Sequence, residues 1–235
     1  MSGRARFAQH KAASRPARGP LATTVGVTGE TLLTAGVLIL LYVAYVLWGT
    51  GLQTDRAQDD LREETAELWS ALPPSGQPVP AAQDPDEIDI GDAYAIIRAP
   101  RLGDDWEWYV VQGVERSDLA RGPGHYEDTA NPGELGNLSI AGHRSGHGAP
   151  FADLNEIEAG DTIEVTTATG TWTYTIDYAA EVIEPTDTWV VDPVPGEGPE
   201  VSPTERRITL TTCHPRYAST QRLYVSGVLT DGEEV

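Results

Sequence analysis

The sequence predicts a mainly β domain closed, or nearly closed, into a barrel of about eight strands with short helices. A single N-terminal transmembrane helix and a proline-rich linker precede it. Three observations predict this. From about residue 90 the chain is a series of short runs rich in β-branched and aromatic residues, broken by Gly, Pro, Asp and Asn. Residues 31–54 carry no charge. Between the two lies Pro73-Pro74-Ser75-Gly76-Gln77-Pro78-Val79-Pro80, too dense in proline for a helix or a central strand.

Taken in order, the elements are these. Residues 1–30 form a basic tail with Arg4, Arg6, Lys11, Arg15 and Arg18. The run 31–54 exceeds the roughly 20 apolar residues that cross a bilayer as a helix, and Tyr45 and Trp48 suit an interfacial belt. A cleaved signal peptide is the competing reading, opposed by the length of the run and its distance from Met1. Cations before the span and Asp55, Asp59 and Asp60 after it put the N-terminus in the cytoplasm and everything beyond about residue 53 outside. Residues 55–89 read as an extracellular stalk. Its first part, 55–72, is a short polar helix with Leu61, Leu68, Trp69 and Leu72 at roughly helical spacing, and 73–88 is a semi-rigid spacer.

The domain proper is 90–235. Its strands are expected at 94–97, 108–111, 138–143, 162–167, 171–182, 207–213 and 222–229. Ala168-Thr169-Gly170 offers a turn in which Gly170 takes positive φ, so 162–182 reads as a hairpin. Helix is confined to about 116–121 and a turn or two at 150–156. Charge narrows the function. The net charge is −20, and after residue 30 eleven cations face thirty-five anions. Such a domain repels phosphates and is no nucleic-acid binder.

Cys213 is the one cysteine, so no internal disulfide forms. It is either a small buried hydrophobe or a reactive thiol. In Arg207–Cys213, period two puts Ile208, Leu210 and Thr212 on the core face, and Thr209, Thr211 and Cys213 on a polar face. The thiol therefore ends a strand where a substrate can meet it. The chain turns and returns with Leu223 and Val225 on the core face, which can bring Arg222 beside Cys213. A guanidinium there favours a thiolate and offers two donors to an oxyanion; the plainer reading is a surface cation. In Asn137–Arg144 the same alternation puts His143 at a strand end on the non-core face. Thiol attack on an amide needs a proton donor for the leaving amine, commonly His. An ordinary loop histidine competes as a reading more strongly at His125, His147 and His214.

Thr209-Leu210-Thr211-Thr212-Cys213 followed by Arg222 resembles the active-site strand pair of the sortases. Ala141-Gly142-His143-Arg144 with Gly148-Ala149-Pro150-Phe151 resembles their histidine strand, and Pro123–Pro132 the approach to it. The resemblance covers about residues 90–230 and is greatest to class E sortases of actinobacteria. It implies a thioacyl transpeptidase. Cys213 would attack the Thr–Gly carbonyl of a sorting signal on a secreted protein, Arg222 would hold the oxyanion, and His143 would protonate the leaving amine. A cell-wall amine would resolve the intermediate. No metal or organic cofactor is implied. Thr211 and Thr212, beside the nucleophile, and Trp189, in the loop Glu184–Trp189, are the substrate-binding candidates. Class E implies a signal of the form Leu-Ala-x-Thr-Gly.

Alternatives stay open. A pilin-polymerising relative would use the acidic stretch 83–92 as a lid, where a solvated tether is the plainer reading. An L,D-transpeptidase would use Cys213 with Arg216, but Thr211-Thr212 stands where Ser-x-Gly is expected. A papain-like enzyme would open a helix with its Cys and place it before the His. A non-enzymatic anchored β domain needs three strand-end residues to coincide by chance.

Overall fold

The computed structural model describes residues 20–70, 85 and 88–234. The basic tail up to residue 19, the last two residues of the expected polar helix (71 and 72), most of the expected spacer (73–84, 86 and 87, with the acidic Asp84, Asp86 and Glu87), and the Trp48 side chain lie outside the described residues. The chain divides into two compact units, Met1–Val43 and Ala44–Val235.

Helix α1 (Pro20–Ala44) dominates the first unit. Its stretch Thr24–Ala44, 21 residues with mean hydropathy 1.8, is long and apolar enough to cross a bilayer. The apolar helix thus starts earlier than residue 31, because Glu30 interrupts the uncharged run without ending the helix. It also stops short of residue 54, because Thr50 and Thr54 are buried in the second unit.

A π-helical turn, Tyr45–Gly49, leads into α2 (Thr50–Ser70). The sequence assigns most of this helix to a stalk, yet it packs on the barrel. Thr50, Thr54, Leu61 and Thr65 form one buried stripe at helical spacing. Leu61 is fully buried with Ile96, Tyr109 and Val111 on the outer side of the sheet, worth roughly 2 kcal/mol. Gln58 clasps the strand edge: its amide donates to the carbonyls of Tyr109 and Arg121 at 2.9 Å, and accepts from Tyr109 N–H at 2.8 Å. Most of this face is Thr and Gln, so its polarity hides it in the sequence. The hydroxyls of Thr50 and Thr54 and the Gln58 amide bond to backbone, while Thr65 Oγ1 is buried without a partner among the described residues.

Eight strands close the barrel: β1 (Ala93–Arg98), β2 (Glu107–Gln112), β3 (Gly124–His125), β4 (Gly136–Ala141), β5 (Thr162–Thr167), β6 (Gly170–Ile183), β7 (Arg206–His214) and β8 (Gln221–Glu234). Their order is β1-β2-β3-β4-β7-β8-β6-β5, with β5 returning to β1. Pairs β2–β3 and β4–β7 are parallel and the rest antiparallel. The seven expected strands are present. Strand β3, two residues long, is too short to leave a pattern. The β5–β6 hairpin forms as expected, but Gly170 is the first residue of β6, so the turn is Ala168-Thr169. Helix is short here: α3 (Arg116–Leu119) and a 3-10 turn at Leu154–Glu156.

Inward-facing Leu138, Ile140, Ile163, Ile208, Leu210 and Val225 are buried together, with Phe151 and Leu154 closing one side. The other face of β4 and β7 is not the open polar surface that alternation suggests. Asn137, Ser139, Thr209 and Thr211 are buried too. Residues 184–205 lie over part of this face: Asn137 donates to the carbonyls of Val190 and Asp192 at 2.9 and 3.1 Å, and accepts from Thr209 Oγ1 at 2.8 Å. A long polar loop thus finds its hydrogen bonds in the threonines and asparagine of the sheet.

Candidate active site

Register brings the three sequence candidates together. Cys213, near the end of β7, lies opposite Arg222, the second residue of β8. On its other side β7 runs parallel to β4, with Ala141 paired to Thr211. Beyond that pair Gly142 N–H donates to Thr211 O at 3.1 Å, and Thr212 Oγ1 donates to Gly142 O at 2.7 Å. His143 and Cys213 are therefore equivalent positions, two residues past the last rung. His143 lies just beyond β4, whose strand ends at Ala141, not within it. The thiol is free and half-buried.

These residues line one cleft of about 290 Å³. Thr211 and Thr212 form part of its wall, and Tyr126, Asp187 and Thr188 another. Thr211 Oγ1 lies 3.4 Å from the Tyr126 hydroxyl. Arg222 Nη1 donates to its own hairpin, to the carbonyls of Gln221 and Ser219 at 2.9 and 3.3 Å. That anchors the guanidinium at the cleft with its remaining donors unspent among the described residues.

Trp189 is not in this cleft. The 3-10 turn Thr188–Val191 sends Thr188, Val190 and Val191 to the cleft and Trp189 to a neighbouring groove, edge-on to Tyr224 at 5.7 Å. On a three-residue turn Thr188 and Val191 fall one above the other on the cleft side, and Trp189, about 120° round from Thr188, points away from it. Arg216 also stands apart: it pairs with Asp153 at 3.2 Å on exposed side chains.

Two groups escape the sequence analysis. Arg144 is buried, and its guanidinium donates to His214 Nδ1 at 2.6 Å, Asn155 Oδ1 at 2.5 Å and Ala152 O at 3.3 Å. Arginine can only donate, so the His214 proton is on Nε2. In so acidic a domain, Arg222 opposite Cys213 and Arg144 on His214 bring positive charge to this strand end. The second is His147, whose ring stacks on His143 at 4.8 Å with 23° between planes. His143 Nε2 and His147 Nδ1 are buried without a hydrogen-bond partner among the described residues. Burial, and then the neighbouring His147, push the His143 pKa below its ordinary value. No local pattern signals either contact, since both depend on how the 143–155 loop folds back. Among the described residues, no group of three or more His, Cys, Asp or Glu side chains is placed to hold a metal ion.

The arrangement can do acyl transfer: a thiol, a mostly neutral imidazole from the parallel strand and a guanidinium from the antiparallel one converge on one cleft. A strand-borne Cys that follows its His in the chain does not fit the papain pattern.

Comparison with known proteins points the same way. The family model described as Sortase domain matches residues 97–230. Sortase SrtE1 of Streptomyces coelicolor is 34% identical over 224 residues, 92% of this chain and 60% of that protein. The chain thus spans less than two thirds of that relative's length. Sortase SrtE2 of the same organism is 35% identical over 225 residues, covering 91% of this chain and 85% of its own. Among solved structures, sortase E from Streptomyces avermitilis is similar with a TM-score of 0.56 and 37% identity, over 63% of this chain and 93% of that one. Sortase D5 from Clostridium perfringens gives 0.61 and 28%, over 75% and 99%.

Proposed function

The chain belongs to the sortase family of cysteine transpeptidases, and from that premise we propose that it is a membrane-anchored enzyme that joins secreted proteins to a cell-wall amine. The observation that carries this is the convergence of Cys213, Arg222 and His143 from three strands on one cleft. Neutral His143 takes the Cys213 Sγ proton, and the resulting thiolate adds to the Thr carbonyl of a sorting signal. Arg222 donates to the resulting oxyanion. The intermediate collapses with cleavage of the Thr–Gly C–N bond, and His143 gives its proton to the departing glycine amine. Neutral His143 then takes a proton from an incoming amine, which attacks the thioester and frees the thiolate. Similarity to Streptomyces SrtE1 and SrtE2 supports a signal of the form Leu-Ala-x-Thr-Gly.

The rival use of Arg216, as in an L,D-transpeptidase, is disfavoured because that side chain is engaged with Asp153. The apolar stretch Thr24–Ala44 supports the anchor, and the basic tail before it supports a cytoplasmic N-terminus. Protease added to intact protoplasts should digest the barrel and spare the tail; a protected barrel reverses the orientation. The reaction itself is tested by mass spectrometry of the full-length protein in detergent with a sorting-signal peptide. A thioacyl adduct on Cys213 is expected. Turnover without a Cys213 adduct would remove the assignment.

A further inference from the structure

The loop that follows His143 has an unusual backbone. Gly146, His147, Gly148 and Ala149 all have positive φ, between 48° and 68°. For His147 and Ala149 this is the left-handed region that L side chains seldom enter. Such strain persists only where the surroundings hold it in place. Part of the support is internal: Ala149 N–H donates to Gly146 O at 2.8 Å, and Phe151 N–H to His143 O at 3.0 Å. Gly148 admits no side chain, since a Cβ there would come within 2.7 Å of the Trp108 ring. The remaining support comes from a residue almost a hundred positions earlier. Thr50 Oγ1 accepts the His147 backbone N–H at 3.1 Å while donating to Val46 O at 2.8 Å. Thr54, one turn on, donates to Ala120 O at 2.8 Å and keeps the helix seated.

Resting on the sortase assignment above, we propose that His147 is a positioning residue for His143, and that Thr50, in the first turn of α2, is the clamp that holds it there. The stacked His147 ring takes the place of water over one face of His143. It fixes the plane of the acid/base imidazole and leaves its Nε2 dry. The other titratable or charged groups lining the cleft with His143 are Cys213, Arg222, Asp187 and Tyr126. None of them is stacked on its ring. Helix α2 follows the apolar helix in sequence after only the π-helical turn Tyr45–Gly49, so the segment next to the proposed anchor also orders the acid/base loop. A barrel cut free at residue 90 would lack the clamp.

The test uses full-length protein in detergent micelles with histidines 13C-labelled at Cε1. The chain has five histidines, which makes His143 assignable. Thr50→Val removes the acceptor at nearly constant shape, Thr50→Ser retains it, and His147→Ala removes the stacked ring. Water regains access to His143 in the Val and Ala variants, so its titration midpoint should rise. Their kcat for peptide cleavage should fall on the order of tenfold with KM little changed, as for a misplaced catalytic group. Thr50→Ser should match wild type in both readouts. A His143 midpoint unmoved in Thr50→Val, or a Thr50→Ser variant as impaired as Thr50→Val, overturns the proposal. If His147→Ala does not fold, Thr50→Val still decides it. The titration needs no substrate, so it reports on the clamp even if wild type forms no thioacyl adduct, a result that would count against the sortase assignment instead.

Discussion

Cys213 and Arg222 face each other across the β7–β8 ladder as directly paired residues, although a hairpin loop separates them in the chain. Pairing fixes their Cα atoms by main-chain hydrogen bonds, and both side chains line the same cleft without any carboxylate bonded to the arginine among the described residues. The cost of ordering a long arginine side chain is met by the carbonyls of Gln221 and Ser219.

The first expectation concerns the nucleophile. Cys213→Ala should abolish peptide cleavage and adduct formation. The thiol is half-buried at a strand end, so little packing is lost and the melting temperature should stay within about 2 °C of wild type. Calorimetry and mass spectrometry on the same sample check both halves. Residual cleavage by the Ala variant would show that another group attacks.

The second separates two arginines. Arg222→Lys keeps the charge but loses the planar fork, and should lower kcat by about 10²–10³-fold, as when an oxyanion donor is removed. Arg216→Lys loses only a surface pairing with Asp153 and should be within about twofold of wild type. Steady-state kinetics of the two variants decide it. The reverse ranking would move the oxyanion role to Arg216.

A third expectation is a pH dependence of stability centred on His125. Its ring is stacked on Tyr94 at 4.2 Å, with Nδ1 2.8 Å from Gln112 Oε1. Burial lowers its pKa to about 4. The unfolded value is about 6.5, so between 6.5 and about 4 the unfolded chain binds the extra proton. Stability is therefore whole above pH 6.5, falls as pH drops through that window, and levels off below it. The full loss is on the order of 3 kcal/mol. Urea melts at pH 7.5, 5.5 and 4.5 should show the loss. His143, lowered in the same direction, adds to it, so the comparison is with His125→Gln, whose profile should be flatter. Parallel profiles would remove His125 as the cause.

The fourth concerns the second position of the sorting signal. Proline there has no N–H and a fixed φ. A wall that accepts a hydrogen bond from that amide would reject proline more strongly than an apolar pocket would. Asp187 and Thr188, from the loop Glu184–Trp189, supply polar groups of that wall, while the aromatic Trp189 lies in the neighbouring groove. The Leu-Ala-x-Thr-Gly peptide should show the higher kcat/KM on one enzyme preparation. Equal or reversed values would argue against class E specificity while leaving the chemistry of Cys213, His143 and Arg222 unaffected.

Much of this was legible in the sequence because it rests on local periodicity. Alternation placed Leu138, Ile140, Ile208 and Leu210 in the core and located seven of the eight strands. The apolar run located the helix that is long and apolar enough to cross a bilayer, though not its ends. Strand-end placement singled out Cys213, His143 and Arg222, since a two-residue period says which face each occupies whatever its neighbours. The rest depended on contacts between residues far apart in the chain. That α2 lies on the barrel follows from Gln58 meeting Tyr109 and Arg121, and a helix face of Thr and Gln looks solvated until its backbone partners are known. That the outer face of β4 and β7 is buried follows from Asn137 capturing the 184–205 loop. That Trp189 turns away while Thr188 and Val191 face the cleft follows from a single 3-10 turn. The link from Thr50 to His147 joins two elements 97 residues apart. Local pattern determines which face a side chain takes, but what lies against that face is decided only when the chain closes.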